Sequence, residues 1–253
     1  SAVGGRDDLG QEILHRLRQL GIGTRYIHLD ARHPTGTVSV TLDAAGIPSY
    51  VIHKDVAWDF LRDSDALHEL AQRTDVVCFG SLAQRAPTTR QTITSFLKHT
   101  REEALRVFDI NLRQQYYNAE IVAASLAHAS VLKINDEEVP KVADLLDLPR
   151  EEGQTMEVLL AKFPLQLIAL TRGGRGSSLY TREESSHHDG FPVEIVDTVG
   201  AGDAFTAALA VGLLRRQPLN RINTFANRLA SYVCSQPGAT PRVPEALTNW
   251  DEL

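Results

Sequence analysis

The chain has 253 residues, of which 43% are hydrophobic and 23% charged, and carries a formal net charge of −6. This is the balance of a globular domain whose core needs no disulfide or metal staple. It excludes a basic nucleic-acid binder or a polycation for anionic membranes, and no apolar run is long enough to span a bilayer.

Ser1 to Gly4 reads as the end of a strand. Leu9, Ile13, Leu14, Leu17 and Leu20 then recur at helical spacing, which predicts a helix over 7–20 with Gly21 as its stop. Val38, Val40 and Leu42 alternate, turn-forming residues follow at 43–48, and 50–53 alternates again, so a β-hairpin is expected within about 35–54. Beyond Trp58 the texture changes. Short apolar runs at 76–79, 107–110, 131–134 and 165–170 alternate with helical stretches at 63–73, 88–98, 119–128, 137–146 and 156–163. A last strand is expected at 193–196, then helices over about 203–214 and 220–234. Strand–helix alternation of this kind implies an α/β fold, a mostly parallel central sheet with helices on both faces. The hairpin stands outside the alternation and is expected to project from the sheet as a small β lid. Cys78 and Cys234 lie in apolar runs outside any C-x-x-C pair, the pattern of buried, reduced thiols in a cytoplasmic protein. His187 and His188 sit in a polar segment with no third metal ligand evident.

The densest chemistry lies in Asp197-Thr198-Val199-Gly200-Ala201-Gly202-Asp203. Small residues at 200–202 let a ligand approach backbone N–H groups where a helix begins, and the helix dipole favours an anion there. Asp203 follows in the first turn, placed to accept a proton from a hydroxyl held beside that anion. A base next to an anion hole is what phosphoryl transfer to an alcohol requires. The plainer reading is an acid capping a helix after a glycine turn. The stretch is neither a dinucleotide fingerprint nor a Walker A loop, because Phe205 takes the third glycine position and no Lys-Ser/Thr follows.

Continued through Ala204 and Phe205, the stretch resembles the C-terminal signature of the ribokinase-like (PfkB-type) carbohydrate kinases. The resemblance implies Asp203 as catalytic base, the backbone of Gly200, Ala201 and Gly202 as the group that stabilises the transferring phosphoryl, and Asp197 and Val199 as candidates for a monovalent cation such as K+. Asn135-Asp136-Glu137-Glu138 is similar to the family's N-x-x-E motif, which makes Glu138, with Asn135, the residues expected to hold Mg2+ through water. A capped helix N-terminus is the alternative there. Asp109-Ile110-Asn111-Leu112-Arg113 resembles the Asp-x-Asn-x-Arg stretch of fructokinase-like members, so Asp109, Asn111 and Arg113 are expected to face sugar and phosphate; a surface turn with one ion pair is the alternative. Thr171, Gly173 and Gly176 match a T-x-G-x-x-G nucleotide loop, and Asn227 and Gly238 match a helix and turn that flank adenine. Trp58 is a candidate to stack on a sugar face, or else packs the hairpin.

The resemblance runs from Val3 to about Pro241 and implies one ribokinase-like domain over 1–253. ATP, Mg2+ and a sugar, closest to fructose, are the small-molecule partners it implies, with no nucleic acid, no membrane, and a homodimer formed through the lid. Val3-Gly4-Gly5-Arg6-Asp7-Asp8-Leu9-Gly10 is similar to a V-G-x-D-x-x-G stretch that in the family follows a first strand, a sugar-binding Asp and a Gly-Gly/Asn signature. None of these stands ahead of Val3, so the expectation is a chain shortened at its start, lacking the first strand and part of the lid, with impaired sugar affinity. The other readings are a 2-keto-3-deoxygluconate, ribose or nucleoside kinase, a binding protein that kept the fold without turnover, and a partner-binding role.

Overall fold

The computed structural model describes residues 2–42 and 48–250. The chain divides into two compact units, Ser1–Asp75 with Leu82–Ala104, and Val76–Ser81 with Leu105–Leu253.

In the first unit, β1 (Ala2–Gly5) and β2 (Ile27–Asp30) pair in parallel across α1 (Asp8–Gln19). Asp7 caps α1 by accepting the Gly10 N–H at 2.8 Å, a standard N-cap arrangement. The same carboxylate accepts the Thr35 N–H at 2.8 Å and the Thr35 hydroxyl at 2.6 Å, which fastens the chain after β2 to the helix start. The expected hairpin is present as β3 (Val38–Leu42) and β4 (Pro48–Ile52), antiparallel; its turn at 43–47 lies outside the described residues. A short 3-10 turn, Ala57–Phe60, precedes α2 (Asp65–Arg73) and α3 (Pro87–His99), which pack on each other. Ser64 caps α2, and Pro87 opens α3, where its missing N–H removes nothing.

The second unit holds a six-stranded sheet. Its strands are β5 (Val76–Phe79), β6 (Leu105–Asp109), β7 (Val131–Asn135), β8 (Leu167–Thr171), β9 (Ser177–Tyr180) and β10 (Ser185–His188), ordered β10-β9-β8-β7-β6-β5. From β5 to β8 all pairs are parallel; β9 runs antiparallel to both its neighbours. The helices are α4 (Ala119–His128), α5 (Val139–Leu146), α6 (Glu152–Lys162), α7 (Ala201–Leu214) and α8 (Leu219–Cys234).

Side chains alternate along each strand, so the register sorts them into two faces. Val107, Val131, Leu167, Ala169 and Leu179 form one face and pack under Phe205, Ala208 and Leu209 of α7, Ile222, Phe225 and Ala226 of α8, and Trp250. Phe108, Leu132, Ile168 and Leu170 point the other way, equally buried, and α4 and α6 pack on β6 and β8. Strands buried on both faces read as unbroken apolar runs, which is why β6, β7 and β8 are plain in the sequence.

Two expectations fail. Residues 193–196 are not a strand. Val193, Ile195 and Val196 are exposed, and the Val196 and Asp197 N–H groups both donate to the Cys234 carbonyl at the end of α8, at 2.9 and 3.2 Å. Their backbone partner is a helix terminus, so the segment stays outside the sheet. Cys78, expected to be buried, is exposed, because β5 is the outer strand of the sheet. Cys234 is half-buried.

Candidate active site

The four parallel strands end at Phe79, Asp109, Asn135 and Thr171, and ligands of open α/β sheets bind beyond such carboxyl ends. Three groups of the expected residues meet there.

The first is the turn into α7. Gly200 is the N-cap, with φ of +86°. A side chain on it would strike the Ala239 carbonyl oxygen, so both its backbone sign and its surroundings require glycine. Asp197 fixes the turn from two sides. Its Oδ1 accepts the Val199 N–H at 3.0 Å and its Oδ2 accepts the Gly238 N–H at 3.2 Å. The expected cation-binding and adenine-flanking segments are therefore one assembly. Ala201, Gly202 and Asp203 form the first turn of α7, whose leading N–H groups have no acceptor within the helix. Asp203 is exposed, and among the described residues its carboxylate makes no ion pair.

The second group is the floor beneath that turn. Lys133 on β7 donates from Nζ to Asp109 Oδ1 on β6 at 3.0 Å; the two positions are register partners. The Thr206 hydroxyl, one turn into α7, lies 3.1 Å from Asp109 Oδ2 and 2.9 Å from the Gly202 carbonyl oxygen. Asp109 thus has both oxygens engaged by protein. Lys133 does not stand out in the sequence, where it reads as one polar residue inside an apolar run. Cys78 adjoins this floor; although the residue is exposed, the protein crowded around its sulfur, then the charges of Asp109 and Asp203, push the thiol up to about 11.

The third group is Asn135 and Glu138. Glu138 is buried; Oε1 accepts the Leu112 N–H at 2.7 Å and Oε2 the Asn135 N–H at 3.0 Å, while the Glu138 N–H donates to Asn135 Oδ1 at 2.9 Å. Burial pushes its carboxyl above the ordinary value of 4.5, against the backbone N–H groups and Lys133, which pull it down. Glu138 therefore clamps the loop after β6 to the end of β7. That loop carries Asn111 with φ of +42° and Gln114 with φ of +49°, left-handed backbone that non-glycine residues adopt at some strain. Arg113, between them, is exposed, and among the described residues it makes no ion pair.

The expected nucleotide loop continues β8. Asp136 N–H donates to the Thr171 carbonyl at 3.0 Å, and Arg175 pairs with Asp136. Gly173 and Gly174 are exposed, with open space where a side chain would stand; Gly176 is closed in by the His188 carbonyl oxygen, which leaves no room for a Cβ. Asn227 is buried. Its Nδ2 lies 2.7 Å from Ser177 Oγ and 3.0 Å from Asn223 Oδ1, while Asn223 Nδ2 donates to the Ser186 carbonyl at 3.0 Å. These bonds stitch α8 to β9 and β10. Trp58 lies in the first unit, where the Arg85 guanidinium covers its ring at 4.0 Å and also grips Asp59 through two 2.8 Å bonds.

Residues 1–246 match the family model described as pfkB family carbohydrate kinase, and the chain belongs to that family. It is 31% identical over 252 residues to PH1459, described as an uncharacterized sugar kinase, of Pyrococcus horikoshii, an alignment covering 96% of this chain and 77% of that one. It is 31% identical over 219 residues to the fructokinase of Salmonella typhimurium, covering 84% and 69%. The crystal structure of PH1459 in complex with ATP superposes with a TM-score of 0.80 at 28% identity, over 100% of this chain and 80% of that one. No helix among the described residues is long and apolar enough to cross a membrane.

Proposed function

We propose that this chain transfers the terminal phosphoryl group of ATP to a primary hydroxyl of a sugar, with fructose the first candidate. The observation that carries the reading is the turn at 197–203, held by Asp197 and Gly238 at the start of α7, which presents helix-start N–H groups and Asp203 side by side. Family membership, a fructokinase relative at 31% identity and a related sugar kinase crystallised with ATP support it.

In this reading the Gly200–Gly202 backbone holds the charge that develops on the transferred group, as preorganised N–H donors do. Asp203 orients the attacking hydroxyl and takes its proton. Arg113 adds charge from the loop after β6, with Asn111 toward the sugar. Thr171, Gly173, Gly176, Asn227 and Gly238 frame the nucleotide.

Among the described residues no cluster of three His, Cys, Asp or Glu could hold a metal, and both Glu138 oxygens already accept backbone N–H groups. Such a donor set fits a Mg2+ that arrives on the nucleotide and keeps its waters, with Glu138 and Asn135 reaching it through one. Mg2+ would neutralise phosphate charge. Asp197 and Val199 are the candidates for K+.

The test is ADP release from Mg-ATP, coupled to a reporter, across fructose, 2-keto-3-deoxygluconate, ribose and a nucleoside. Turnover with fructose alone supports the full reading, and preference for another acceptor moves the substrate. ATP binding without turnover on any of them sinks the kinase reading in favour of a binding protein. No thermal shift with Mg-ATP sinks both.

A further inference from the structure

We propose that Lys133 supplies positive charge to the phosphoryl site from beneath the first turn of α7, with Asp109 and Thr206 holding it in place. The inference rests on the kinase reading above.

Position comes first. On the sheet face under α7 and α8, the row formed by Val107, Val131 and Leu167 is wholly apolar. One step toward the carboxyl ends, the same face carries Asp109, Lys133 and Ala169. Packing α7 requires only what the lower row has. Lys133 and Asp109 are 12% and 14% exposed, and an ion pair that withdrawn from water contributes little beyond an apolar pair of similar volume. The backbone ladder already fixes the register of β6 on β7, so the pair is not needed to align the strands.

Charge comes second. Lys133 Nζ lies close under α7: a methyl group placed on Gly202 would stand 3.1 Å from it. The start of a helix carries partial positive charge, so a cation there is unfavourable until an anion joins it. Asp109 offsets part of that crowding, and Thr206 bridges Asp109 to the Gly202 carbonyl. The arrangement gathers a lysine and the leading N–H groups of α7 around one place; of the two carboxylates near it, Asp109 has both oxygens engaged and Asp203 is the one the kinase reading gives to the acceptor hydroxyl. An incoming phosphoryl group completes that balance. Gly202 also gains a second role: besides exposing its N–H, it leaves room for Nζ.

The experiment compares Lys133→Met, Lys133→Arg and the Lys133→Met/Asp109→Asn double variant, which leaves no carboxylate stranded. Turnover is read with the best acceptor, and Mg-ATP and Mg-ADP affinities by calorimetry. Lys133→Met is expected to lower kcat by about 10²–10³-fold, the range for loss of one preorganised donor, with the sugar KM within about threefold. Lys133→Arg should recover at least tenfold of that loss. The double variant should melt near the wild type and stay slow. A Lys133→Met enzyme within threefold of wild-type kcat overturns the proposal, as does a double variant with restored turnover, which would make the pair a packing element. If the wild type turns over no acceptor, the kinase reading fails by itself. Lys133 is then judged on binding alone: Mg-ATP weakened about tenfold in Lys133→Met supports its role, and unchanged affinity refutes it.

Discussion

The Asp197 carboxylate accepts the backbone N–H of Gly238 at 3.2 Å, across 41 residues of sequence. Its other oxygen holds the Val199 N–H at 3.0 Å. One side chain thereby makes the turn into α7 and the turn after α8 a single rigid piece. Asp197→Ala should weaken Mg-ATP binding about tenfold, the equivalent of one charge-assisted hydrogen bond, while the melting temperature changes little. Calorimetry with Mg-ATP, with and without K+, measures it.

Gly200→Ala is expected to be costly on two counts. Left-handed backbone at φ +86° costs a non-glycine residue about 1–2 kcal/mol, and the added carbon runs into the Ala239 carbonyl oxygen. Urea unfolding should show at least that loss, with turnover falling further than stability. A variant of wild-type stability would mean that the turn opens freely.

Asp203→Asn should lower turnover by about 10²–10⁴-fold, the range for a general base, while Mg-ATP affinity stays within about threefold. Steady-state rates and a binding isotherm on the same preparation separate the two effects. A fully active Asp203→Asn enzyme rules out the assignment of the base.

Asp7 supplies a pH dependence. The Thr35 hydroxyl, then the Thr35 and Gly10 N–H groups, lower its carboxyl below the ordinary 3.8. An acid lowered on folding adds stability above its unfolded value, and that stability is lost as pH falls through the folded value. Thr35→Val removes the hydroxyl, so the Asp7 carboxyl should rise toward 3.8 and the acid-unfolding midpoint should move up. Titration followed by circular dichroism reads the shift.

Arg85 holds Asp59 by two 2.8 Å bonds, with side chains 6% and 4% exposed. Arg85→Ala strands a buried carboxylate and uncovers Trp58, an expected loss of about 3–5 kcal/mol. Arg85→Met with Asp59→Leu should recover most of it in the same denaturation assay.

Much of this is legible in the sequence. Strands β6, β7 and β8 are mostly apolar on both faces, and the stretches between them at 119–128, 137–146 and 156–163 read as helices. Strands β9 and β10 are not, because Ser177, Ser178, His187 and His188 lack the apolar run that marks a strand; Ser177 and Ser178 are nonetheless buried, while His187 is exposed, and Asn223 of α8 holds β10 through the Ser186 carbonyl. Val193, Ile195 and Val196 mislead in the opposite sense, since alternation signals a strand only where a neighbouring ladder exists. At the site, Asp203 and the glycines stand out by spacing. Lys133 does not, because what distinguishes it is the register that sets Asp109 beside it and the helix laid above both.

The buried amides of Asn223 and Asn227 have a reach beyond their own contacts. A greasy helix can slide along a greasy sheet by a turn and lose little. Bonds from Asn227 to Ser177 and from Asn223 to Ser186 can be made at one setting only, so they act as a key that locks the height of α8. The far end of that helix is Cys234, whose carbonyl anchors Val196 and Asp197. The gauge for the turn into α7 is thus cut at the opposite edge of the sheet, and a fault in the key would be felt as a misplaced Asp203.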